Sequence, residues 1–477
     1  MLDRPELPIS EDSVEPPSPF VPAGMAGRSE RDRLLARFRD RLVVRPELNR
    51  RTVSYQANKT HPALRWFKYK EGFSADLVQD FLDIAEGPVL DPFAGIGTTA
   101  LVAGGHCREA IGIEIMPVGA RAARAIAVVA DGICLESLKA SFFGLLQAVA
   151  ATGDSPAGYR FPHVRITEHA FSPETEAAIG RARSFIASVE DDNLRLVLDV
   201  ACMSVLEEVS YTRKDGQYLR WDSRSGRKLR SRMHKGRIPG FEEALLHRIQ
   251  QIVTDAPALK RLYGGRAPKI VEGSALRELP QLDDGSVGLT ITSPPYANRY
   301  DYTRTYALEL AWLGFDRDSF GRLRQDLISA TVENRSKKRL LDETYPRPDM
   351  LALSEHAITR QKALAEALGA LEGHRLQLSN PHVIRLVENY FSEMSLIVAE
   401  LARVTRIDGR VVMINDNVQY HGEEIPVDLI LSDIAEYCGF ECEEISVLPR
   451  GKGNSSQQMG KFGRRELRKC VYSWRRI

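Results

Sequence analysis

Pro88-Val89-Leu90-Asp91-Pro92-Phe93-Ala94-Gly95-Ile96-Gly97-Thr98-Thr99-Ala100 is the stretch that decides the fold. Pro88 to Asp91 is a short strand ending on a carboxylate, and Pro92 stops it. Gly95 and Gly97 let the backbone turn in ways other residues avoid and let a ligand approach closely. The helix expected from Thr98 opens with N–H groups that have no intrahelical partner. A second strand, Ala110 to Ile115, carries Glu114 near its end. That is about 20 residues past the glycine turn, where an acidic side chain takes ribose hydroxyls in nucleotide-binding α/β folds. Strand, glycine turn, helix, strand and terminal carboxylate together predict an α/β sheet with a nucleoside-type cofactor site.

A second anchor lies downstream. Val287-Gly288-Leu289-Thr290-Ile291 reads as a buried strand, and Thr292-Ser293-Pro294-Pro295-Tyr296 follows it. Two prolines end the strand and leave a hydroxyl, two fixed carbonyls and an aromatic ring at its carboxyl end, the edge where open α/β sheets bind ligands. Taken alone, this is also the sequence of a plain turn. Further pieces of a sheet come at Lys269–Ala275, which contains Gly273 and Ser274, and in the C-terminal third. There a long helix starts at Val383, Asp408-Gly409 turns, and Arg410–Asp416 is a strand. A helix over 426–438 and strands at Glu443–Leu448 and Lys469–Trp474 complete the set.

Asp91-Pro92-Phe93-Ala94-Gly95-Ile96-Gly97-Thr98 resembles the cofactor motif of the S-adenosylmethionine-dependent DNA amino-methyltransferases. Ser293-Pro294-Pro295-Tyr296 resembles their catalytic motif, and Trp66–Phe73 looks like the extra N-terminal motif that closes over the methionine end of the cofactor. The resemblance covers roughly residues 55–128 and 268–312, and more weakly 385–475. It implies a Rossmann-like methyltransferase sheet with helices on both faces, plus two mainly helical insertions. It also implies S-adenosyl-L-methionine as cofactor, held by Asp91, Pro92, Phe93, Gly95, Gly97, Thr98, Glu114 and Ser274. The family often has an aspartate near the adenine ring where this chain has Ser274, which is a departure from the pattern.

The chemistry implied is methylation of an exocyclic base amine. Its lone pair is delocalised into the ring, so the site must rehybridise the nitrogen and aim it at the methyl group. The Ser293 side chain and the Pro294 carbonyl each take one N–H, Pro295 fixes the loop, and Tyr296 stacks on the base. The catalysis is positioning plus charge stabilisation, and the base must leave the duplex to reach the pocket. In the family, serine at the first motif position more often accompanies cytosine N4 methylation, and aspartate adenine N6 methylation. The expected activity is therefore a site-specific, cytosine-N4 DNA methyltransferase. The alternatives are an adenine-N6 enzyme of the same fold, an RNA or protein amino-methyltransferase, and a catalytically dead nucleic-acid-binding subunit. Cytosine C5 chemistry needs a Pro-Cys nucleophile, and none of the six cysteines follows a proline.

Composition sets the remaining bounds. The chain has 477 residues, 43% hydrophobic and 27% charged, with a net charge of +1. Nucleic-acid contact must then come from local basic patches. The densest is Tyr211–Arg237, where Arg220, Arg224, Arg227, Lys228, Arg230, Arg232 and Lys235 alternate with Tyr218 and Trp221. It is either a solvated surface loop or a loop tracking a phosphate backbone. With the methyltransferase resemblance in place DNA contact is favoured, and Arg299 joins it from the catalytic loop. The arginine-dense stretch Gly27–Arg51 predicts an amphipathic helix, as a solvated basic face or a phosphate-contacting arm. The cysteines form no C-x-x-C pair, so six free thiols and no metal are expected. No apolar run approaches the ~20 residues of a membrane span, and the acidic, proline-rich start is unlike a signal peptide. The expected compartment is the cytoplasm.

The expected division has four parts: a flexible acidic tail and basic helix over 1–54; a discontinuous catalytic domain of 55–120, 265–316 and 385–477; a helical and basic insertion over 121–264, the candidate target-recognition region; and a second helical insertion over 317–384. Duplex DNA with a flipped base is the expected substrate. A restriction enzyme or defence-system components are the expected partners, because such enzymes commonly belong to those systems.

Overall fold

The computed structural model describes residues 29–151, 160–215, 218–227, 233–449 and 467–477. The expected tail over 1–26, Lys228, Arg230 and Arg232 of the basic segment, and the glycine-rich stretch Gly451–Arg465 lie outside the described residues. Twelve strands are described: β1 Leu42–Val44, β2 Val89–Asp91, β3 Ala110–Glu114, β4 Thr212–Asp215, β5 Tyr218–Trp221, β6 Lys269–Glu272, β7 Val287–Thr292, β8 Thr405–Asp416, β9 Val418–Tyr420, β10 Glu423–Ile425, β11 Phe440–Val447 and β12 Lys469–Arg476.

Eight of them form one sheet in the order β1-β11-β12-β8-β7-β2-β3-β6. All neighbours run parallel except β12, which is antiparallel to both β8 and β11. From β2 the chain builds outward through β3 and β6, and from β7 it builds the other way through β8. The order therefore reverses between β2 and β7, and that is where an open α/β sheet forms its ligand crevice. Strand alternation puts side chains into cores on both faces. Val412 and Ile414 of β8 enter the core on one face, and Val411 and Met413 the core on the other.

Helices cover both faces. Ala75–Leu82, Thr98–Gly105 and Pro117–Asp131 bury their apolar sides in the first core, as do the longer helices Leu135–Ala150, Asp192–Val209 and Phe241–Tyr263. Val383–Val404 and Val427–Tyr437 pack into the second. Ser74 caps the Ala75 helix, its hydroxyl accepting from the Leu77 amide at 3.1 Å. This is the Rossmann-like α/β architecture expected from the two motifs.

Three local expectations change. Thr212–Asp215 and Tyr218–Trp221 pair as antiparallel strands β4 and β5 rather than running as a loop, with Thr212 and Lys214 buried and Arg213 exposed. A two-residue alternation of polar side chains is silent as a strand signal because it lacks apolar residues. The Asp408-Gly409 turn becomes a bulge within β8, since Val287 pairs with Thr405 but Leu289 with Arg410. The arginine-dense stretch yields the helix Glu30–Arg37 and also the edge strand β1, parallel to β11. Its arginines are not a free basic face. Arg31 pairs with Glu366 at 2.7 Å and Glu423 at 2.9 Å, Arg37 with Asp433 and Glu436, Arg41 with Glu436, and Arg45 with Glu444. All of these carboxylates lie more than three hundred residues away in sequence, so no local window shows them.

Candidate active site

The strand-end carboxylates organise the crevice. Asp91, fully buried at the end of β2, accepts from the Phe93 amide at 3.0 Å and from the Thr292 hydroxyl at 2.6 Å. It thereby ties the glycine turn to the strand that delivers Ser293. The Thr99 hydroxyl adds a second tie, donating to the Ile291 carbonyl at 3.1 Å. Burial raises Asp91 to about 6 against these hydrogen bonds. Glu114, at the end of β3, accepts from the Gly95 amide at 2.5 Å and the Met116 amide at 2.6 Å. Burial pushes it up to about 8, and the two amide donors pull it the other way.

Both turn glycines are required by geometry. Gly95 has φ +55° and a Cβ there would lie 2.8 Å from the Tyr69 ring, while Gly97 has φ +81° and would meet the Ala123 methyl at 2.9 Å. Gly97 starts the Thr98–Gly105 helix.

A cavity crosses the carboxyl ends of four adjacent strands. Ser293 and Pro295 line it after β7, Pro92 and Phe93 after β2, Glu114 to Met116 at β3, and Gly273 to Ala275 after β6. Tyr69 and Glu71 close it from the segment before β2, Tyr302 from beyond the catalytic loop, and Asp326 to Ile328 from the second insertion. One oxygen of Glu71, Oε1, is buried without a hydrogen-bond partner among the described residues, while its other oxygen accepts from the Tyr306 hydroxyl. An unpaired buried carboxylate oxygen is costly, and a cationic group placed in this cavity would satisfy it.

The segment carrying Tyr69 and Glu71 is rigidly held. Asp255, from the first insertion, accepts from the Ala63 amide at 3.1 Å, Arg65 Nε at 3.0 Å and Trp66 Nε1 at 2.8 Å. The Tyr69 ring stacks on Tyr306 at 5.2 Å between centroids. Lys214 of the β4–β5 hairpin lies 4.3 Å over the other partner's ring, that of Tyr306, and pairs with Glu309 at 2.5 Å, each side chain 2% exposed.

The catalytic motif splits between two neighbourhoods. Ser293 and Pro295 face the cavity, Pro294 is buried, and Tyr296 turns towards β8 and β12. The Ser293 hydroxyl donates to the Tyr296 hydroxyl at 3.2 Å. Lys469 Nζ stands 5.7 Å from the Tyr296 ring centroid and pairs with Asp416 at 3.2 Å. Tyr420 donates to the Ala297 carbonyl, fixing the loop beyond. Asp91, Gly95, Gly97 and Thr98 shape the cavity from behind without lining it.

Three of the described cations of the basic segment are engaged within the protein. Arg224 pairs with Asp222 at 2.7 Å and holds that carboxyl below its usual range. The Arg227 guanidinium lies 4.1 Å from the Trp221 ring centroid and donates to the Glu168 carbonyl at 3.0 Å. Lys235 donates to the Ser210 carbonyl at 2.9 Å and the Glu208 carbonyl at 3.1 Å, and burial lowers it to about 8. Arg220 is exposed on β5. Arg299, next to the catalytic loop, has φ +71° and a buried Nε with no hydrogen-bond partner among the described residues.

Several groups of the candidate site were not singled out from the sequence. Thr292 sat inside the quoted motif but only its bond to Asp91 shows its use. Glu71 is a carboxylate amid aromatic residues, which is a readable anomaly. Asp326 and Lys469 come from distant segments with nothing local to mark them.

No family model matches the chain, and no solved structure does. Known proteins of similar sequence do exist. The type II methyltransferase M.AvaI of Nostoc sp. is 42% identical over 464 residues, covering 92% of this chain and 92% of that enzyme. M.AvaI of Anabaena variabilis matches equally, and M.BsoBI of Geobacillus stearothermophilus is 37% identical over 456 residues, 89% of this chain and 88% of its own. With identity at that level over nearly the whole of both chains, this protein belongs to the type II methyltransferase family.

Proposed function

We propose that this enzyme is a site-specific DNA methyltransferase that modifies the N4 amine of cytosine, with S-adenosyl-L-methionine as methyl donor. The observation that carries this is the meeting of two motifs in one cavity. Ser293 and Pro295 line the same space as Phe93 and Glu114, at the point where the strand order reverses. When bound, the cofactor supplies an electrophilic methyl group on a sulfonium. Glu114 holds the ribose hydroxyls, and Glu71 faces the methionine ammonium with its unpaired oxygen.

The Ser293 hydroxyl donates to Tyr296, so its lone pairs remain for one N–H of the target amine. The Pro294 carbonyl takes the other. Together they turn the nitrogen lone pair out of the ring plane and towards the methyl group. The flipped base rests against the Tyr296 ring. Its proton is lost after transfer, so no strong base is needed in the site.

DNA contact is assigned to Arg220 and Arg299 among the described residues, with Lys228, Arg230 and Arg232 beside them in sequence, and the 121–264 insertion is assigned target recognition. Arg224, Arg227 and Lys235 act as internal ties that hold the hairpin region in shape. A restriction endonuclease is the proposed partner in the cell.

Methylation of duplex DNA with radiolabelled cofactor, followed by nucleoside analysis, tests this function. N4-methylcytosine is expected. N6-methyladenine shifts the target base within the same fold, transfer to RNA alone replaces the substrate class, and no transfer at all refutes the enzyme assignment. Ser293→Ala is expected to keep binding of S-adenosylhomocysteine and lower transfer about 10²–10³-fold, the usual loss of one preorganised hydrogen-bonding group.

A further inference from the structure

The cavity has a direction. Along the sheet edge its lining strands run β7, β2, β3, β6, which places Ser293, Phe93, Glu114 and Ser274 in that order. The methyl group must be delivered at the Ser293 end, and the ribose falls at Glu114. The nucleobase of the cofactor therefore lies at the β6 end. That end is walled by Ile115, Met116, Ala275, Leu327 and Ile328, a slot of apolar side chains suited to a flat ring. Leu327 and Ile328 are each 5% exposed. Among the described residues lining this end, Asp326 carries the only ionisable side chain.

Asp326 is the last residue of the helix Arg317–Asp326, in the second insertion. The Leu327 amide closes that helix on the Leu323 carbonyl at 3.1 Å, and Arg277 Nη2 holds Asp326 Oδ1 at 3.1 Å. Asp326 and Ser274 also border the adjoining cavity, so the pair forms the partition between the two spaces. A 6-aminopurine offers N–H donors at its exocyclic amine, and a carboxylate only accepts. A 6-oxopurine offers an oxygen there, which a carboxylate repels.

Resting on the cofactor assignment above, we propose that Asp326 of the second insertion is the group that reads the exocyclic amine of the cofactor's base. The insertion then completes the cofactor pocket, whatever part it has in reading DNA.

Calorimetric binding of S-adenosylhomocysteine and its 6-oxo analogue, S-inosylhomocysteine, to the full chain tests this. Wild type prefers the amino form, and Asp326→Ala lowers that preference about ten- to hundredfold, the worth of a charge-assisted hydrogen bond. Asp326→Asn, whose amide can donate to the 6-oxygen, moves the preference towards the inosine form. Arg277→Ala removes the surface ion pair but leaves the carboxylate, and it retains the wild-type preference. An unchanged preference in both Asp326 variants overturns the proposal. So does an equal loss in Arg277→Ala, which makes the ion pair a purely structural brace. Failure of the wild type to bind S-adenosylhomocysteine overturns the cofactor assignment itself, and this proposal with it.

Discussion

Glu114 offers a pH test of the cofactor pocket. Its carboxyl is raised from an ordinary 4.5 to about 8 by burial, with Asp91 and Glu71 as the nearest like charges. A carboxyl whose folded pKa lies above its unfolded value holds a proton in the folded state only, between the two. Folding then takes up a proton, so the stability of the cofactor-free protein falls as pH rises through that window. One group gives at most ~1.36 kcal/mol per pH unit, so roughly 2.7 kcal/mol is lost from about pH 5.5 to 7.5 on this account. Asp91, raised to about 6, adds a slope of the same sign at the lower end.

Cofactor binding should run the opposite way. Accepting two ribose hydroxyls needs the ionised carboxylate, so affinity for S-adenosylhomocysteine is expected to rise about tenfold between roughly pH 6 and 7. Glu114→Gln removes the affinity slope and Glu114's share of the stability slope, leaving only the part from Asp91 at the lower end. Its amide nitrogen must face one of the two backbone N–H groups that Glu114 now accepts from, costing about 1–3 kcal/mol of stability. That penalty does not vary with pH, so the slope is the clean readout. Denaturant midpoints and calorimetric affinities at four pH values suffice. A wild-type affinity flat over this range, or a variant with the wild-type stability slope, refutes the reasoning.

Two more outcomes follow from the packing. Gly95→Val places a β-branched side chain at φ +55° against the Tyr69 ring, where a left-handed backbone alone costs about 1–2 kcal/mol. The variant should lose S-adenosylhomocysteine binding by equilibrium dialysis, and retained binding contradicts the assigned turn. Lys214→Met leaves Glu309 buried without its charge partner and should cost about 3–5 kcal/mol in urea denaturation. The double change with Glu309→Leu should recover most of it, whereas two additive losses rule out a pair as the source.

Much of the fold was legible because its determinants are local. A strand ending in Asp91, two glycines that must take positive φ, and a proline pair after β7 each act within a few residues of themselves. Backbone conformation is set at that range, so the sequence by itself determined the Rossmann-like sheet, its ligand edge and the positions of Gly95, Glu114 and Ser293. Charge was not legible in the same way. Arg31, Arg37, Arg41 and Arg45 near the N-terminus and the cations at 224, 227 and 235 looked like solvent-facing patches, yet each meets an acceptor or a ring within the protein. An ion pair depends on where its partner arrives, and only tertiary structure brings Glu366 to Arg31 or Asp416 to Lys469. The same holds for the cavity walls. Asp326 reaches the β6 end because a helix of the second insertion stops there, and Glu71 is left with an unpaired oxygen because Tyr306 takes only one. Local sequence fixed how each segment bends, and long-range packing decided which side chains share the space between the segments.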